Sequence, residues 1–344
     1  MGFIRSIRRI STLSLHYLGS KRKLIPFIQS AIHSTVGSDL SDKTFCDLFA
    51  GTGIVGRTFK TCTKEMIAND LEYYSFVLNR NYIGNHEEIL DQQKHIDELN
   101  DLPVIDTGFI YRNYCKGGGT GRLYFSDPNG KKIDTIRQGI EKKRKTDTID
   151  DDLYYFLLAS LLESADKVAN TTSIYHSFLK NLTPTAQKPL ILEPATFDVH
   201  AHTHQVFNSN ANTLIKKITG YILYLDPPYT GRNYGSSYHL LNTIARYDNF
   251  TPRGMTGLRN YQKSGWCSSR NVGKELKNLL KHAQFQYIFM SYNNEGLMSP
   301  TFIKSMMSTY GRYDCVSTDY KRFKSSSGIH KADQTIESIH ILEK

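Results

Sequence analysis

The sequence predicts an α/β fold: a doubly wound, mostly parallel sheet closed by an antiparallel hairpin. Three observations predict it. Strand and helix signals alternate over residues 44–83, the pattern of parallel strands joined by crossover helices. The glycine-rich loop Gly51-Thr52-Gly53-Ile54-Val55-Gly56 follows the first strand, and Asp70 closes the second, 19 residues past Gly51. A later apolar run, 221–225, stops at Asp226-Pro227-Pro228-Tyr229, so another strand ends in polar residues on the side where ligands bind in such sheets.

The elements follow in order. Residues 1–16 read as a flexible arm. The segment 21–36 has helical spacing in Leu24, Phe27, Ile28, Ala31 and Ile32. A strand at 44–49 leads through the loop 50–53 into a short helix ending at Lys60. A second strand at 64–68 ends at Asn69-Asp70, and helices are expected over 72–83 and 86–100. The alternation breaks near Leu102. Three glycines at 117–119, a turn signal at 127–130 and a hairpin-like 122–125 mark an inserted lobe over 101–200, which also carries a long amphipathic helix at 151–169. The sheet resumes at 204–207, 221–225 and 285–291, and 313–318 with 335–342 would close it. The catalytic domain is therefore expected to comprise 1–100 and 201–344.

The chain has 344 residues, 39% hydrophobic and 22% charged, ordinary for a globular protein with a sizeable core. No apolar stretch approaches the roughly 18 residues a membrane span needs, and residues 2–14 lack the apolar core of a secretory signal. The five cysteines are scattered without metal-type or redox-type spacing, which implies reduced thiols and a cytoplasmic setting. His200, His202 and His204 alternate, but no fourth ligand accompanies them, so no metal is expected. The net charge of +10 is unevenly placed: residues 1–38 hold six Lys/Arg and no acid, and residues 109–146 hold ten against three. Two basic regions on a near-neutral body suit a polyanionic partner.

The motif at 226–229 is suited to a planar base. Prolines donate no N–H and leave their carbonyls free, Asp226 adds an acceptor, and Tyr229 offers a stacking face. The glycine loop admits two readings. With Asp70 it matches the dinucleotide fingerprint of a nicotinamide-dependent oxidoreductase. Asp47, just before the loop, is unwelcome beside a pyrophosphate but suits the ammonium of S-adenosylmethionine. Gly51 and Gly53 would then admit the ligand's close approach, and Asp70 would accept from its ribose hydroxyls.

Taken together, Tyr17-Leu18-Gly19-Ser20-Lys21, Asp47-Leu48-Phe49-Ala50-Gly51-Thr52-Gly53, Asn69-Asp70 and Asp226-Pro227-Pro228-Tyr229 resemble the Dam-like adenine-N6 DNA methyltransferases of restriction–modification systems. The resemblance spans nearly the whole chain outside the inserted lobe. It implies that Tyr17 and Lys21 help hold S-adenosylmethionine, with Lys21 pairing the methionine carboxylate and Asp47 the ammonium. The chain departs from the family before the catalytic motif, where an aspartate near the cofactor's adenine is replaced by the asparagine-rich 208–212. Asp226 and the Pro227 carbonyl would accept from the adenine amine as charge develops on it, and Tyr229 would stack an adenine flipped out of double-stranded DNA. Arg232 and Tyr234 are placed to contact the flipped nucleotide, while Arg137, Lys142, Lys143 and Arg144 would meet phosphates. A cognate restriction endonuclease would act separately. A cytosine-N4 or RNA-base methyltransferase, and a DNA-binding module without turnover, remain open on these residues alone.

Overall fold

The computed structural model describes residues 19–321 and 334–344. Tyr17 and the N-terminal arm lie outside them. Seven strands form one sheet: β1 (Leu40–Asp47), β2 (Thr63–Asn69), β3 (Gln205–Phe207), β4 (Thr219–Leu225), β5 (Gln284–Asn293), β6 (Arg312–Lys321) and β7 (Gln334–Glu343). Their order is β3-β2-β1-β4-β5-β7-β6, with β7 antiparallel to both neighbours and the other pairings parallel. The chain leaves β1 toward β2 and β3 on one side and returns to β4 on the other. A crevice therefore opens at the carboxyl ends of β1 and β4, where ligands bind in open sheets of this kind.

Burial on both faces explains the apolar strand runs. Along β4, Ile222 and Tyr224 pack with Phe45, Phe289 and the helix Ile25–Val36, while Leu223 and Leu225 face Ile288, Met290 and the helix Val272–His282. Register sets the ends level, since Asp47 lies beside Ala68 of β2 and Tyr224 of β4. Asp47, Asp70 and Asp226 thus reach one rim.

The expected doubly wound sheet with its antiparallel closure is present, and the local differences have physical causes. Asp127-Pro128-Asn129-Gly130 is no turn; it opens the helix Asp127–Lys145, where Ser126 caps the first turn and proline occupies a position that needs no N–H donor. Residues 122–125 form only an isolated bridge, Phe125 to Cys115, instead of a hairpin. The helix expected over 72–83 gives way at Arg80 to a π-turn, Arg80–Gly84. The helix expected over 86–100 begins at Gln92. The inserted helices Phe109–Tyr114, Asp127–Lys145 and Asp151–Lys167 do not build a separate core. They share one with the helices Tyr73–Asn79, Gln92–Asn100 and His239–Arg246. His204 accepts from the Met66 backbone N–H (3.1 Å) at the sheet edge, and burial pushes its imidazole down to about 3. No helix among the described residues is long and apolar enough to cross a membrane.

Candidate active site

The glycine loop is held from both sides. Gly51 and Gly53 take left-handed φ values of 53° and 78°, which residues with a Cβ adopt only at a penalty. The Gly51 N–H donates to Asp70 Oδ2 (2.8 Å), and the Glu72 N–H donates to Asp70 Oδ1 (2.9 Å). The Gly51 carbonyl accepts from Asn79 Nδ2 (3.1 Å) and from the Ser75 hydroxyl. A Cβ on Gly53 would stand 2.6 Å from Asn79 Oδ1, so close approach as well as φ demands glycine there.

Below this loop Asp47 is only 1% exposed, and its Oδ1 has no hydrogen-bond partner. Burial, then the charges of Asp226 and Asp70, push its carboxyl up to about 8. The Tyr224 side chain beside it is likewise buried. Asp47, Asp70, Glu72 and Asp226 line one cavity together, with Lys21 the one lysine or arginine among its described lining residues. Burial raises Glu72 to about 7, although Asn242 Nδ2 donates to it at 2.6 Å. Phe49 and Trp266 supply an apolar wall, their rings edge to face at 5.1 Å. Ser209, Asn210 and Ala211 complete it from the 208–212 segment, which Asn69 ties to β2 through its bonds to the Ser209 backbone (3.1 and 3.0 Å). An acidic cavity with an orphaned carboxylate oxygen and an aromatic wall fits a cationic ligand bearing a flat ring. It repels a pyrophosphate, which disfavours the nicotinamide dinucleotide.

At the tip of β4, Asp226 and Pro228 face the same cavity, and Pro227 is buried. Lys21, expected to meet a ligand carboxylate, lines the cavity, and its Nζ lies 2.9 Å from Asp226 Oδ1 and 4.7 Å from the centre of the Tyr229 ring. The Tyr229 hydroxyl donates to Ser291 Oγ (3.1 Å), and its ring packs against Tyr292 at 4.7 Å. The corner is therefore rigid, with the Lys21 ammonium covering one aromatic face.

Arg137 is a correction. It is 3% exposed and donates to the carbonyls of Ile244 (3.1 Å) and Ala245 (3.2 Å), with Glu141 at 2.9 Å. It fastens the insertion to the helix His239–Arg246 and has no access to a phosphate. Lys143 meets Glu98 (2.5 Å) and Arg144 meets Asp151 (3.1 Å), whereas Lys142 and Arg232 are exposed. Tyr234 lines the cavity and stacks on Tyr238 (6.1 Å). Sequence reasoning missed Glu72 and the loop carrying Ser264, Trp266 and Cys267. The Ser264 N–H donates to Asn233 Oδ1 (3.0 Å), and Cys267 Sγ lies 3.3 Å from the Arg232 carbonyl, joining this loop to the segment after Tyr229. The sole tryptophan, standing in an irregular stretch, was the available signal.

Sheet order, acidic cavity and Asp-Pro-Pro-Tyr corner together define a methyl-transferring enzyme of nucleobases. Residues 17–306 match the model of the D12 class N6 adenine-specific DNA methyltransferases, and the chain belongs to that family. It is 56% identical over 333 residues to the type II methyltransferase M.NlaIII of Neisseria lactamica, covering 96% of this chain and 99% of that protein. It is 35% identical to the type II methyltransferase M.CviAII of Paramecium bursaria Chlorella virus 1, covering 90% and 92%. Against the type II methyltransferase M.FokI of Planomicrobium okeanokoites it is 34% identical, covering 96% of this chain but 53% of that protein.

Proposed function

We propose that the protein uses S-adenosylmethionine to methylate the N6 amine of an adenine flipped out of duplex DNA, as the modification half of a type II restriction–modification system. The observation that carries this reading is the meeting of the orphaned Asp47 oxygen and the Asp226 corner in one acidic cavity. S-adenosylmethionine supplies an electrophilic methyl group when bound. Asp47 would hold its ammonium, Asp70 its ribose, and Phe49 with Trp266 its adenine.

The exocyclic amine of adenine is a weak nucleophile because its lone pair is delocalised into the ring. With Oδ1 of Asp226 taken by Lys21, the other carboxylate oxygen and the Pro227 carbonyl remain to accept from the amine and to stabilise the positive charge that grows on nitrogen. Tyr229, fixed by Ser291 and Tyr292, would support the base once the Lys21 ammonium moves off its face, and Arg232 is exposed in the loop that follows. Lys142 remains exposed for a phosphate; Lys143 and Arg144 would reach one by exchanging their carboxylate partners. The protection implied by the relatives calls for a separate endonuclease reading the same site.

Transfer of radiolabelled methyl groups to DNA tests the reading. Asp226→Ala should cut the rate by roughly 10²–10³-fold, the typical loss of one preorganised transition-state contact, while donor binding persists. Equal labelling by both proteins would refute the catalytic assignment.

A further inference from the structure

Met255 is 87% exposed, the most solvent-open of the large apolar side chains among the described residues. It stands at the tip of a turn closed by two backbone hydrogen bonds between Arg253 and Leu258 (2.9 and 2.8 Å). Gly254 and Gly257 give the turn its shape, with φ of 65° and 71°. The tip is also clamped from outside. Arg122, reaching from the insertion, donates to the carbonyls of Met255 (3.1 Å) and Gly254 (3.0 Å), and the Tyr114 hydroxyl donates to the Gly257 carbonyl (2.7 Å). Five hydrogen bonds thus fix the backbone of this turn, so the exposed Met255 side chain projects from a defined place on the surface.

The surroundings say what the tip is presented to. Residues 249–274 contain five Lys/Arg and no acid, and Arg253, Lys263 and Arg270 are exposed. The same segment continues into the cavity wall through Ser264 and Trp266. An acid-free segment with exposed cations that runs into the wall of a base pocket complements a phosphate backbone, and an unbranched thioether on it fits between stacked base pairs, where apolar wedges enter DNA.

Resting on the DNA-methylation reading above, we propose that Met255 is an intercalating wedge that fills the gap left in the duplex by the flipped adenine. Filling that gap would keep the duplex from closing and the base from returning to its partner.

Methyl transfer by the full chain separates this from its alternatives, using a duplex that carries a site mapped in DNA from expressing cells. Met255→Ala should slow transfer to that duplex by roughly ten-fold or more, whereas Met255→Leu, still an apolar wedge, should keep nearly the native rate. On the same duplex with the target adenine opposite an abasic position, Met255→Ala should return to within about two-fold of the native rate, because no partner competes for the base. An undiminished rate for Met255→Ala on the intact duplex, or an equal deficit on both substrates, overturns the wedge and leaves DNA methylation standing. Absence of transfer by the native protein on either duplex would instead remove the underlying reading.

Discussion

Replacing Asp47 with asparagine should make the ligand-free protein more stable while abolishing its hold on the methyl donor. Burial, with the charges of Asp226 and Asp70, pushes the Asp47 carboxyl in the folded chain up from its ordinary 3.8 to about 8. Between those values the native state keeps a proton that the unfolded chain has released. Stability therefore falls as pH rises through this window, by about 1.4 kcal/mol per unit, and levels off above it. At pH 7 the accumulated penalty is roughly 4 kcal/mol, and asparagine never incurs it. An asparagine amide at the orphaned position would return about 1–3 kcal/mol through its own missing partner. A net gain of about 1–3 kcal/mol at pH 7 is expected. The sharper signature is the pH dependence: the advantage of Asp47→Asn in urea unfolding should grow by roughly 3–4 kcal/mol from pH 5 to pH 8. Calorimetry on the native protein at pH 7 should show release of close to one proton as S-adenosylmethionine binds, because an ammonium beside Asp47 favours the ionised form. A stability difference that stays flat across that pH range would refute the assignment of a buried, proton-bearing carboxyl awaiting a cation.

Trp266 is the sole tryptophan and stands in the cavity wall, so donor binding should change the protein's intrinsic emission, and Trp266→Ala should weaken binding by about 1.4–2.8 kcal/mol, roughly ten- to hundred-fold in Kd. Unchanged emission on saturation would place the donor elsewhere. Lys21→Met should lower kcat by roughly 10²-fold with donor Kd within about three-fold, since the ion pair is made to Asp226. A large rise in donor Kd at constant kcat would instead support the role on the methionine carboxylate that the family resemblance implies.

Much of this architecture is legible in the residues, because its signals are local. The run at 221–225 is apolar since β4 is buried on both faces, and the glycine loop declares itself through φ values only glycine takes freely. Asp47 ends β1, Asp70 and Asp226 follow the last residues of β2 and β4, and parallel register alone brings them to one rim. What sequence could not supply depends on contacts distant along the chain. Arg137 sits in a basic run that looks solvated, yet the carbonyls that bury it come from Ile244 and Ala245, more than a hundred positions away. Trp266 has no periodic neighbours to mark it, and only the fold sets it beside Phe49. The Asp127–Gly130 tetrapeptide misleads because turn chemistry and helix-capping chemistry use the same residues, and the long amphipathic stretch that follows decides between them.

The charges of the cavity explain why a site like this tolerates its own composition. Asp47, Asp70, Glu72 and Asp226 crowd one small volume, and ionising all four without compensation would be strongly unfavourable. The fold relieves the crowding in different ways. Asp226 has Lys21, Asp70 accepts two backbone N–H groups, and Asp47 retains its proton below about pH 8. Of these, the arrangement at Asp47 leaves a buried oxygen without a partner. A ligand that brings a positive charge to that oxygen gains an ion pair there, and removes a penalty the folded chain carries in its absence. Selectivity for a cationic donor over a phosphate-bearing one then comes from the protein's unfavourable ground state as much as from any contact made on binding.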